Sequence, residues 1–287
     1  MALTSQNFFT NIKARLSESG TPLDGIKDLS IVDSPAQGLL DELEKAKKGL
    51  DAALRNSFDT PGAMQVILKL VRDANVYMND RSIQPHLQVV EVVARWVTKI
   101  VGIFGLDASA TPPYDGLGWA SATASTNVDP QTAVEPYKAV YTSVKQEVQG
   151  LALTETSVQT LLNQQNPDTE FSELEAAGVK DVEKLALPYL RATSRLRDEL
   201  RGIVSTATLE PATKQAILAL SDRIRDYDLT DLGVQLDDQT DKPSLIKFVP
   251  ASKLIAAREE KAALLAEKAR QKEEGASFSL SSTKYNT

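Results

Sequence analysis

Residues 87–104 read LQVVEVVARWVTKIVGIF, and nearly every position apart from Gln88, Glu91, Arg95 and Lys99 is apolar. Those four lie three, four and four residues apart, which sets them on one stripe of an α-helix. The segment therefore reads as a helix buried on most sides with a single wet edge. Glu91 and Arg95 are placed along that edge as a favourable i,i+4 ion pair. A helix of this kind needs neighbours on several sides, and the flanking sequence supplies them. Leu39, Leu40, Leu43, Ala46, Leu50, Ala53 and Leu54 recur near a 3.6-residue period. Ser34-Pro35 precedes them as a cap and first helical residue. Residues 56–61, NSFDTP, break that helix and start another with Thr60-Pro61 in the same roles. Met64, Ile67, Leu68, Val71 and Ala74 form the core face of the second, so the pair is expected to be an antiparallel helical hairpin. Further upstream, Phe8, Phe9, Ile12 and Leu16 fall at helical intervals. The first three read either as bundle core or as an apolar surface for a partner.

Downstream the pattern changes twice. Residues 107–132 are rich in Pro, Gly, Ala, Ser and Thr and read as a long loop, functional or poorly ordered. Helical spacing returns over 134–148, 157–162, 180–204 and 211–227. After Leu232, Val234 to Leu236 and Leu245 to Val249 flank a polar turn and predict a strand pair. Residues 251–274 read as a charged helix and 275–287 as a disordered Ser/Thr tail. The expected organisation is an N-terminal helix and linker at 1–30, a helical bundle at 31–232, a short strand pair at 233–250, the charged helix at 251–274 and the tail. The fold class is mainly α: an antiparallel helical bundle with a small β-hairpin near the C-terminus and a trailing charged helix.

Composition excludes several chemistries. The 287 residues are 42% hydrophobic and 25% charged, enough apolar material for a core. There is no cysteine and one histidine, so a disulfide framework, a thiolate nucleophile and a Cys/His zinc site are ruled out. His86 follows Pro85 and reads as a surface or capping residue. The most apolar stretch is interrupted by charges and falls short of the roughly 20 residues of a membrane span. Residues 1–7 are not a secretory leader, so a cytoplasmic protein is expected. No P-loop is present, and Gly116-x-Gly118 does not continue to a third glycine.

Two clusters remain. Asp237, Asp238 and Asp241 could hold a cation, but Asp is common in turns and a solvated turn is the simpler reading. Arg191, Arg195, Arg197 and Arg201 lie along one helix, with Arg223 and Arg225 on the next. The guanidinium fork suits phosphate. The alternative is pairing with Asp198, Glu199, Asp222 and Asp226, which composition alone favours. A net charge of −7 also means that any RNA contact must come from local patches.

Several strings are more specific. Ala53-Leu54 followed by FDTP at 58–61, ARWVTKIVGIFGL at 94–106, and PPYDGLGW at 112–119 resemble, in order, the helical bundle of cysteine–tRNA ligases. So do LPYLR at 187–191, LSDRIRD at 220–226, LGV at 232–234 and PSLIKFV at 243–249. The resemblance runs from about Asn7 to Glu274 and is to eukaryotic and fungal cytosolic members. It implies the anticodon-binding bundle of a class I synthetase, an enzyme that uses ATP to attach cysteine to its tRNA. The catalytic motifs of that family and its thiol-binding zinc are not in this sequence. The resemblance thus implies a chain without a catalytic site of its own, inactive alone, with ATP and zinc belonging to a separate catalytic domain. Its expected partners are tRNA, weakly through Arg191, Arg195, Arg201, Arg223 and Arg225, and a catalytic domain, with no membrane. No catalytic or metal-ligating residue is assigned. The alternatives are a free-standing protein-interaction scaffold and a truncated gene fragment.

Overall fold

In the computed structural model the described residues are 2–19, 33–80, 82–107, 112–114, 116–118, 129–151, 153, 156–164, 166–206, 209–239 and 242–283. They form two compact units, Met1–Val128 and Asp129–Thr287. The boundary falls inside the stretch read from sequence as one bundle.

The first unit contains α1 (Ala2–Ser19), α2 (Ser34–Arg55), α3 (Thr60–Asn79) and α4 (Leu87–Ile103). Each is amphipathic, and the apolar faces meet in one core that includes Leu39, Leu43, Ile67, Leu70, Val71, Val89, Val90, Val93 and Val97. Phe8, Phe9 and Ile12 belong to that same core, so they are bundle interior and not a docking surface. Arg15 fixes the end of α1 by donating to the Met78 carbonyl at 2.9 Å.

Both hairpin helices start one residue earlier than the Ser-Pro and Thr-Pro pairs suggest. Asp33 caps α2 by accepting from the Ala36 amide, and Asp59 caps α3 by accepting from the Gly62 amide, each at 2.9 Å. The carboxylate satisfies one of the amides left open in a first turn and meets the positive end of the helix dipole. The wet edge of α4 also differs from expectation. Glu91 is only 2% exposed, because Arg95 folds over it with Nε 2.8 Å from the carboxylate. A carboxylate buried on this scale requires such a partner. His86 takes the N-cap position of α4 without a side-chain cap bond.

The described part of the 107–132 loop folds back on α4. The Gly118 amide donates to Thr98 Oγ1 at 2.8 Å, and a Cβ on Gly102 would lie 2.5 Å from the Tyr114 ring. Residues 108–111, 115 and 119–128 lie outside the described residues.

The second unit is built around α8 (Val182–Thr206), against which pack α5 (Pro130–Gly150), α6 (Thr156–Gln164), α7 (Pro167–Ala176), α9 (Pro211–Arg223) and a β-hairpin. The first half of α8 is buried on nearly every side, from Leu185 to Leu190, and the second half on one stripe through Thr193, Leu196, Leu200 and Ile203. Helix α7 was not legible from spacing. Its 10 residues carry four acids and two large apolar residues, Phe171 and Leu174, which lean on the core.

A π-helix, Ile224–Asp228, continues α9. The hairpin follows: β1 (Val234–Gln239) and β2 (Lys242–Phe248), antiparallel, with Val234 opposite Phe248 and Leu236 opposite Ile246. The chain enters β1 through Gly233 at φ +74, where a Cβ would sit 2.7 Å from the Val249 carbonyl. Only glycine fits there without strain. Finally α10 (Ala251–Thr283) runs nine residues past Glu274, into the segment expected to be a tail. A lone Gly275 lowers helix propensity by about 1 kcal/mol but does not by itself stop a helix. Residues 284–287 lie outside the described residues.

Candidate nucleic-acid interface

The five arginines expected to meet phosphate all lie in the second unit, and those with acidic partners turn to different elements of it. Arg191 faces α7, with Nη1 2.9 Å from Glu170. Arg223, at the end of α9, reaches the C-terminal part of α5 and forks onto Glu147 at 2.6 and 2.9 Å, with Nε on Asp228 at 3.1 Å. Arg225 forks onto Asp226 at 2.7 and 2.8 Å and touches Asp222 at 3.2 Å. Arg201 lies 3.8 Å from Asp238. Arg195 is exposed and has no acidic partner among the described residues. Four of the five are thus held in ion pairs, largely with acids from distant parts of the chain.

Two of the pairs, Arg223–Glu147 and Arg225–Asp226, shift the ionisation of both partners. The Glu147 carboxyl is held below its ordinary range by hydrogen bonds from Arg223, and Asp226 by those from Arg225. Arg223 and Arg225 are pushed up by the same bonds.

Arg197, read as one of the basic row, has a different role. It is fully buried and makes a bidentate contact with Asp238, at 2.8 and 3.1 Å, and a 3.0 Å contact with Asp198. Asp198 in turn accepts from the Ser244 amide and hydroxyl at 2.9 and 2.8 Å. Two consecutive residues of α8 therefore grip both strands of the hairpin. The β-ladder slips register between Asp237 and Gln239, and Asp238 sits in that irregularity. Such irregularities re-aim a side chain, and here the carboxylate meets the guanidinium.

The acidic turn is consumed in the same way. Asp237 takes Lys247 at 2.6 Å, and Asp241 lies outside the described residues. Among the described residues no three His, Cys, Asp or Glu side chains converge as a cation site would require.

Asp238 is held below the ordinary aspartate range chiefly by its hydrogen bond from Arg197, and Asp168 by those from Lys138 and Tyr189. A lowered folded-state pKa gives stability that is full above the unfolded value and is lost as pH falls through the folded one. Thermal unfolding of the second unit, followed by circular dichroism, is therefore expected to shift to lower temperature once pH drops below about 4. Asp238→Asn is expected to start from a lower midpoint at pH 7 and to lose less on acidification. An equal acid shift in both proteins would show that Asp238 carries none of it.

Sequence spacing had no signal for one further feature. Tyr227 lies in the π-helix, and Arg258 of α10 stacks on its ring with the guanidinium carbon 4.8 Å from the centroid. Arg258 is fixed by Asp231 at 2.8 Å and by the Asp226 carbonyl at 3.1 Å.

No protein-family model matches the chain, and no solved structure matches it. Curated relatives do. The chain is 26% identical over 228 residues to the cytoplasmic cysteine–tRNA ligase of Drosophila melanogaster and 25% identical over 219 residues to that of Homo sapiens. A shorter stretch of 81 residues is 38% identical to the enzyme of Xenopus tropicalis. The fly alignment takes in 79% of this chain but 23% of the relative, and the human one 74% and 21%. The chain thus spans between a fifth and a quarter of the length of these relatives. Among the described residues no helix is long and apolar enough to cross a membrane. Over roughly three-quarters of its length, this chain is homologous to cytoplasmic cysteine–tRNA ligases.

Proposed function

We propose that this chain is a helical tRNA-recognition region of the cysteine–tRNA ligase kind, working in the cytoplasm beside a catalytic domain that supplies ATP, zinc and the joining of cysteine to tRNA. The observation that carries the reading is the alignment with cytoplasmic cysteine–tRNA ligases over 79% of the chain. A unit organised around α8, with Arg191, Arg195 and Arg201 along that central helix, is compatible with that role. The anticodon arm is the part of tRNA it would meet.

The ion pairs refine how phosphate would be bound. Exposed pairs are worth about 0–1 kcal/mol each, so at Arg191 and Arg201, away from the acidic turn at 222–231, a phosphate can displace a carboxylate at small cost. Arg195 has no such competitor among the described residues and is the first contact.

The test is a titration of labelled cysteine tRNA with the full chain at two salt concentrations. Binding is expected to be weak and to fall steeply with salt, since each phosphate contact contributes about 0.9 to the log–log slope. Arg195→Ala is expected to flatten the slope by about one contact and to leave helical content unchanged. No binding at low salt would remove this reading.

A second reading, a scaffold that docks a protein such as the catalytic part of a ligase, is favoured by Phe58. That ring is 77% exposed at the tip between α2 and α3, in a left-handed conformation with φ +54. Such strain persists where the surroundings impose it, and an exposed phenylalanine there offers a protein an apolar anchor.

A further inference from the structure

The feature least explained by packing is the Tyr227–Arg258 stack. Tyr227 is 55% exposed, although its ring is large and apolar and neighbouring Ile224 is wholly buried. The π-helix is what turns it outward. One turn with an extra residue shifts everything after it around the axis, and such turns recur at functional positions. Arg258 then covers one side of the ring, and its own position is fixed by Asp231 and the Asp226 carbonyl. With Arg258 on one side, Tyr227 still leaves more than half of its surface to solvent.

Charge decides what fits there. Arg223, Arg225, Arg258 and Lys261 supply four positive charges around the turn, and Glu147, Asp222, Asp226, Asp228 and Asp231 supply five negative ones. The sum is −1, so a phosphate gains no net attraction at this turn. A flat, uncharged, polarisable group does gain, because a ring backed by a cation offers a rigid stacking face at little entropic cost. Asp222, with a side chain 60% exposed, stands near the turn as a hydrogen-bond acceptor for an exocyclic amine or ring N–H.

We propose that Tyr227, backed by Arg258, is a stacking platform for one unpaired nucleobase of the RNA. This rests on the tRNA-recognition reading above and adds to it the position where a splayed-out base is received. Phosphate contacts would come from elsewhere, Arg195 among them. The platform's contribution to affinity is then independent of salt, unlike the rest of the interface.

The experiment uses the full chain, a fluorescein-labelled single-stranded RNA of mixed sequence and a duplex RNA of equal length, titrated at two salt concentrations. Wild type is expected to prefer the single strand. Tyr227→Phe keeps the ring and is expected to bind within about two-fold of wild type. Tyr227→Leu is expected to lose about 10-fold or more on the single strand, the range of one lost base stack, with an unchanged salt slope and little change on duplex. Arg258→Gln separates the platform from a purely structural clamp on α10. It removes the backing cation but leaves the ring, and should retain most of the binding. Tyr227→Leu binding like wild type would overturn the proposal. So would Arg258→Gln losing as much as Tyr227→Leu, which would assign both residues to anchoring α10. A wild-type chain that binds neither RNA would sink the tRNA-recognition reading itself, and the platform with it.

Discussion

Phe8→Ala is expected to lower the stability of the first unit by about 3–5 kcal/mol, the range for deleting a fully buried phenylalanine. The ring is 0% exposed and packs in a core shared with α2, α3 and α4. Its removal costs both the transfer energy of the ring and a cavity that neighbouring side chains fill only in part. Against a typical total of about 5–15 kcal/mol for a domain, this is a large fraction. Trp96 lies in α4 and residues 129–287 contain no tryptophan, so urea unfolding followed by fluorescence reports the first unit. The expected result is a midpoint displaced well to lower urea with an unchanged m-value. Phe58→Ala is the control, expected within about 0.5 kcal/mol of wild type because that ring is exposed. Equal stability of Phe8→Ala and wild type would return Phe8 to the surface and contradict the packing of α1.

Arg197→Ala is expected to destabilise the second unit by about 3 kcal/mol or more. Removing one member of a buried ion pair costs about 3–5 kcal/mol, because the remaining charge loses its partner. The lower end applies here, since the side chain of Asp238 is 44% exposed and can rehydrate. Three other contacts go with it: Asp198, Ser244 and the Ser221 carbonyl at 3.3 Å. Arg197→Lys is not expected to rescue, because a single ammonium cannot make the bidentate contact with Asp238. Hydrogen exchange is the direct measurement, with the amides of Val234–Gln239 and Lys242–Phe248 expected to lose protection first. Retained protection in the hairpin would show that its apolar face, and not the arginine, holds it to α8.

These two residues mark where local reading succeeded and where it failed. The spacing of Phe8, Phe9 and Ile12 identified a helix and left open which way it faced. The row of arginines on α8 was visible as a row, but Arg197 was indistinguishable from Arg195, although one is fully buried and the other exposed. Beside the near partners Asp228 and Asp198, Arg223 and Arg197 hold carboxylates 76 and 41 residues away, beyond the reach of any window.

What the sequence by itself determined is the class of structure: helices over most of the chain, the hairpin after Leu232, and the kinship with cysteine–tRNA ligases. Helix and strand periods are written in neighbours three, four or two residues apart, so they survive without tertiary information. Tertiary structure alone decided the rest. It split one expected bundle into two units, buried Glu91 under Arg95 and spent the arginines on distant carboxylates. It also turned Tyr227 outward beneath Arg258. A charged or aromatic side chain has no intrinsic preference between solvent and a specific partner. The choice depends on which segment the folded chain brings within about 3 Å.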